Sequence, residues 1–141
     1  MIPVGSGTPD ALELTRRAFE SANGGDYDAM MAFYGPASVW DVSPWGLGIH
    51  TGEAAIRRFL EDWMGGFERY EVTVEELHDL GRGVVSAVAV QHAWAARGRG
   101  HLRLRYAPVF VWSDGLALRV THYREIDEAR AAAERLAGER G

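Results

Sequence analysis

The hydrophobic pattern changes period near residue 66. Before it, apolar residues recur at helical spacing. Thr8 is placed to cap a first helix, with Pro9 at its first position and Asp10 beside the positive end of the dipole. Ala11, Leu12, Leu14, Ala18, Phe19 and Ala22 form its apolar side, and Asn23-Gly24-Gly25 ends it. Asp26 caps a short second helix containing Met30, Met31, Phe33 and Tyr34, which Gly35-Pro36 stops. Residues 37–42 read as a strand. Thr51 is expected to cap a third helix, in which Ile56, Phe59, Leu60, Trp63 and Met64 fall at i, i+3, i+4, i+7 and i+8. Gly65-Gly66 terminates it.

After residue 66 the period is two. Tyr70, Val72 and Val74 alternate with Glu71, Thr73 and Glu75. Gly81-Arg82-Gly83 and the 97–100 segment read as turns bounding long strands over 84–96 and 101–113. Asp114-Gly115 signals a hairpin into a last strand over 116–126. Asp127 then opens a short Ala-rich helix. The order predicts an α+β domain, with helices on one face of a largely antiparallel sheet. It spans residues 8–137, with tails at 1–7 and 138–141. Strands 84–96 and 101–113 are apolar on both sides, whereas an antiparallel sheet commonly leaves one face wet. One face is therefore expected to pack on the helices and the other on a second subunit, giving a homodimer.

Composition narrows the class. The 141 residues are 47% hydrophobic and 25% charged, the balance of an ordinary globular domain. With no cysteine there is no disulfide, thiolate metal site or cysteine nucleophile. The net charge of −5, with scattered basic residues, argues against a nucleic-acid partner. No basic-then-apolar leader opens the chain and no apolar run is long enough for a span, so no membrane partner and a cytoplasmic location are expected.

Chemistry concentrates around Val39-Trp40-Asp41 and the Pro/Gly-rich loop that carries Trp45. A carboxylate held among aromatics resists ionisation and becomes useful for proton transfer, which makes Asp41 a candidate catalytic residue; the competing role is bracing the Ser43-Pro44 loop. His122, in the last strand, is the second catalytic candidate, against the commoner role of a core histidine. Tyr34, Trp40, Trp45 and Trp63 are candidates to line a pocket for a flat apolar ligand, although Trp63 also fits a helical core stripe. Arg105 would hold an anionic or enolate oxygen if its strand side faces the pocket, and otherwise pairs with Glu71, Glu75 or Glu125. His50, His92 and His122 lie on separate elements without ligand spacing, so no metal site is expected. No phosphate loop or dinucleotide fingerprint appears.

Three segments carry a resemblance. They are Gly25-Asp26-Tyr27-Asp28-Ala29-Met30 with Phe33-Tyr34, then Val39-Trp40-Asp41 with Gly52-Glu53-Ala54-Ala55-Ile56 and Phe59, and finally Phe110 to Gly115 with Val120 to Asp127. In order and spacing the chain resembles the SnoaL-like branch of the nuclear transport factor 2-like superfamily, over residues 8 to about 136. The resemblance implies a cone: a curved mixed sheet wrapped by three N-terminal helices, in a cystatin-like fold, with a pocket at its wide end. Its members include ketosteroid isomerases, polyketide cyclases, epoxide hydrolases, dehydratases and non-catalytic binding domains, so fold does not give function. Asp41 matches the general-base aspartate of the isomerases. Their two oxyanion donors correspond to Ala18 and Ala107, which cannot donate, so the isomerase pattern is incomplete. The implied activity is cofactor-free acid–base chemistry on a small apolar carbonyl compound, as in an isomerase, cyclase or dehydratase. Asp41 would relay the proton, with His122 or Arg105 at the developing oxyanion. The alternatives are a non-catalytic binding domain and a homodimerisation module.

Overall fold

The computed structural model describes residues 10–98 and 100–140. The expected cap at Thr8 and the tail at 1–7 lie outside the described residues. Helix α1 (Ala11–Gly24) begins instead at Asp10, whose carboxylate accepts from the Glu13 amide at 2.8 Å. Gly25 closes it in the left-handed conformation. Asp26 caps α2 (Tyr27–Met31), as its position suggested, accepting from the Ala29 amide.

Strand β1 (Val39–Asp41) pairs antiparallel with β2 (Ile49–Thr51), an element not expected from the sequence. Because Thr51 pairs with Val39 in that ladder, its backbone is extended and it does not cap the next helix. Helix α3 (Glu53–Gly65) starts one residue later, at Gly52, with φ +88° and no side-chain cap. Then come β3 (Arg69–Gly81), β4 (Val84–Trp94), β5 (His101–Ser113) and β6 (Leu116–Tyr123). The six strands form one curved sheet in the order β2-β1-β6-β5-β4-β3. Only β1 and β6 run parallel. Register breaks between Val74 and Glu76, and again in β5 between Val111 and Trp112, bend the sheet.

The two faces of the sheet differ. The inner face packs against α1, α2 and α3 in a core containing Leu14, Phe19, Met30, Ile56, Phe110 and Trp112. One buried polar stitch ties helix to sheet: Trp112 Nε1 donates to Thr15 Oγ1 at 2.9 Å, and that hydroxyl donates to the Ala11 carbonyl. Asn23 extends the edge strand, donating to the Val72 carbonyl and accepting from the Val72 amide.

The outer face carries Val84, Ala107, Val109 and Val111, covered by Ala129, Ala133 and Ala137 of α4 (Ile126–Arg140). The Ala-rich segment is thus a 15-residue packing helix, and residues 138–140, expected as tail, belong to it. Its charged residues face water while its alanines let it sit close on the sheet. The apolar residues that suggested a second subunit on this face are therefore covered within one chain. No helix among the described residues is long and apolar enough to cross a membrane.

Candidate functional site

The inner face does not close completely. A cavity of about 360 Å³ lies between α1, α3 and the strands, near the lower end of the range of small-molecule sites. Strand alternation decides what points into it. On β1 and just past it, Trp40 and Val42 line the cavity; on β6, His122 does; on β5, Leu102, Leu104, Tyr106 and Pro108 do. Helices contribute Ala18, Met30, Phe59 and Trp63, and the loop after β1 contributes Trp45 and Leu47. Leu47 is also 40% exposed, so the opening lies beside that loop.

Of the residues expected at the site, Tyr34, Trp40, Trp45, Trp63 and His122 share the lining. Two do not. Asp41 lies between the lining residues Trp40 and Val42, so its side chain takes the opposite side of the sheet. It is 6% exposed and fully engaged. Its Oδ1 accepts from the Ser43 amide at 3.0 Å and from the Ser43 hydroxyl at 2.6 Å. Its Oδ2 accepts from Arg119 at 2.6 Å. Burial raises the pKa of Asp41, but the Ser43 bonds and the Arg119 guanidinium outweigh it and hold the carboxyl below its ordinary value. The carboxylate is thus ionised, partnered by Ser43 and Arg119, and outside the cavity lining. Arg105 follows the alternative given for it: it shares the outer strand side with Ala107, is half exposed, and pairs with Glu75 at 2.7 Å. Ala107, compared above with an oxyanion donor, is likewise on the outer face; the inward neighbours are Tyr106 and Pro108.

The cavity's polar groups are few. His122 is 6% exposed, and its ring lies 4.3 Å from that of Trp40 and 5.8 Å from that of Tyr106. Burial lowers its pKa to about 3, against a small opposing pull from the Asp41 charge, so the imidazole is neutral at physiological pH. Among the described residues, neither His122 Nε2 nor Trp40 Nε1 has a hydrogen-bond partner, although both are buried. Leaving such an atom unpaired costs about 1–3 kcal/mol. Gln91 is partly occupied, accepting from Trp63 Nε1 at 3.1 Å. The Tyr34, Tyr70 and Tyr106 hydroxyls stay protonated because burial pushes their pKa values up. No cluster of three metal-ligating side chains occurs among the described residues.

A family model for the SnoaL-like domain matches residues 15–120. The chain belongs to the SnoaL-like family. Its fold is nuclear transport factor 2-like, as solved structures with the same architecture agree. A protein described as a polyketide cyclase from Xanthomonas campestris pv. campestris is 27% identical, with a TM-score of 0.65 over 87% of this chain and 96% of that one. A hypothetical protein with a ketosteroid isomerase-like fold from Catenulispora acidiphila, in complex with trimethylamine, is 14% identical, with a TM-score of 0.71 over 89% and 93% of the two chains. TerC, co-crystallised with polyporic acid, is 17% identical, with a TM-score of 0.69 over 88% and 98%. No curated protein matches the chain.

In this SnoaL-like chain, sequence reasoning did not single out Gln91, Tyr70 or Tyr106 as lining residues. Gln91 carried a signal: it is the polar exception on the β4 side formed by Val85, Ala87, Ala89 and Ala93. Arg119, the partner of Asp41, carried none, because only the parallel β1–β6 pairing brings the two together.

Proposed function

We propose that the protein performs cofactor-independent acid–base chemistry on a small, flat, apolar carbonyl compound held in this cavity. The observation that carries the reading is the pair of unpartnered buried nitrogens, His122 Nε2 and Trp40 Nε1, on two rings that line a mostly apolar hollow. A carbonyl ligand would satisfy Trp40 Nε1 with its oxygen and set an adjacent C–H against His122 Nε2. Trp40 Nε1–H would donate to the carbonyl oxygen, while the His122 imidazole takes a proton from the adjacent carbon. The C–H electron pair becomes the enolate, and the proton then returns to carbon in an isomerisation. In a cyclisation, the enolate carbon instead attacks a second carbonyl carbon and the proton passes to the oxygen formed. Burial makes the free imidazole a weak base, but an enolate forming beside it favours the imidazolium. The SnoaL-like membership and the polyketide cyclase-like relative support a cyclase or isomerase type of reaction.

A second reading is a binding domain without turnover. It is favoured by the placement of Asp41, which leaves no carboxylate among the described lining residues. Proton exchange separates the two readings. The protein is expected to speed α-deuteration of 2-tetralone in D₂O above the buffer rate, as followed by proton NMR. His122→Phe should return the rate to that of buffer, and Asp41→Asn should leave it within a few fold. Binding of 2-tetralone with no exchange above buffer would establish the binding domain.

A further inference from the structure

We propose that the ligand of this cavity carries a carboxylate, which pairs with Arg124 at the opening. The inference rests on the cavity being a ligand site and adds the ligand's charge. Strand β6 supplies the geometry. Its inward positions run from Val120, fully buried in the core, to His122 on the cavity wall, and Arg124 follows, exposed, in the bend just past the strand end. The guanidinium arm therefore starts two residues beyond the imidazole, where the chain leaves the sheet.

Contact with Trp45 sets that arm at the opening. Arg124 Cζ lies 4.9 Å from the centre of the Trp45 ring, and Trp45 lines the cavity next to the exposed Leu47. Stacking on an indole holds a guanidinium in place while leaving its in-plane N–H donors free. Arg57, Arg69, Arg105, Arg119 and Arg130 have those donors engaged by a carboxylate, whereas Arg124 shares its lack of a carboxylate partner with Arg58, Arg103 and Arg135 and differs from them in its seat on Trp45. Among the described residues no carboxylate pairs with Arg124. Nor does any charged side chain line the cavity, so an anionic group deep inside would be unpaired. An aryl compound with its oxygen-bearing ring toward His122 and a carboxylate at its outer end would match both His122 and Arg124. The planar fork of arginine suits a carboxylate in two-point contact.

The probes are 2-naphthoate and its neutral isostere 2-naphthamide, titrated calorimetrically at pH 7.5 and low salt. The protein is expected to bind both and to prefer the carboxylate roughly three- to tenfold. Arg124→Gln, with an unchanged melting temperature, should abolish the preference and leave 2-naphthamide binding within twofold. Equal affinity for the two probes, or a preference that survives Arg124→Gln, overturns the role of Arg124 while leaving the cavity a ligand site. Binding of neither probe overturns the cavity reading and this inference with it.

Discussion

At the scale of single residues, the two acid–base candidates part company because of strand parity. Asp41 and His122 both read as inward from local sequence. Trp40 and Asp41 are neighbours on one strand, however, and only one of them can face the cavity. The choice was not legible locally, since aromatic and acidic residues both suit a site. It is decided by the parallel pairing with β6, which sets Arg119 and Thr121 on Asp41's side and Val120 and His122 on Trp40's side. Two predictions follow the charges. His122 titrates near 6.5 when unfolded and near 3 when folded. Between those values the unfolded chain binds the extra proton, so this contribution to stability is complete above about pH 6.5 and declines as pH falls toward 3. Urea midpoints measured from pH 7.5 to 4.5 should fall, and His122→Phe should flatten that slope. Asp41, whose folded pKa is depressed, adds stability that is lost only as pH falls below its ordinary 3.8. Asp41→Asn should cost about 1 kcal/mol at pH 7 by chemical denaturation, modest because Arg119 is partly exposed.

At the scale of elements, hairpins were the most legible. Asp114 and Gly115 both adopt positive φ, as the two-residue turn demands, and so do Arg82 and Gly83. Gly83 is required twice over, since a Cβ there would be driven into the Trp112 carbonyl oxygen while the Gly83 carbonyl accepts from the Trp112 amide. Gly83→Ala should therefore lower stability by more than about 1 kcal/mol, read as a drop in the urea midpoint. Asn23→Ala should cost about 1–2 kcal/mol by removing both bonds to the free edge of β3. Less legible were β2, only three residues long in a Gly-rich loop, and α4. The alternation of charge and alanine in α4 resembles a solvated helix, and only the apolar outer sheet face explains its small side chains.

At the scale of the molecule, the sheet divides its two faces between different tasks. Alanines of α4 fill the outer face, where close approach leaves no room for a ligand. Helices with larger apolar side chains stand off the inner face and leave the cavity. The cone, its helices and most of the aromatic lining could be read from periodicity, because each of those residues keeps one parity or one helical stripe. The emptiness could not, since an unfilled volume depends on how several elements meet. Ala18 borders that volume from α1, so Ala18→Phe should keep or raise the melting temperature while abolishing 2-tetralone binding by calorimetry. The most direct test of the account is the ¹⁵N resonance of the His122 imidazole during titration with 2-tetralone at pH 7. A neutral ring whose Nε2 signal shifts in step with occupancy is the predicted result; 2-tetralone binding that leaves this resonance unmoved would contradict it.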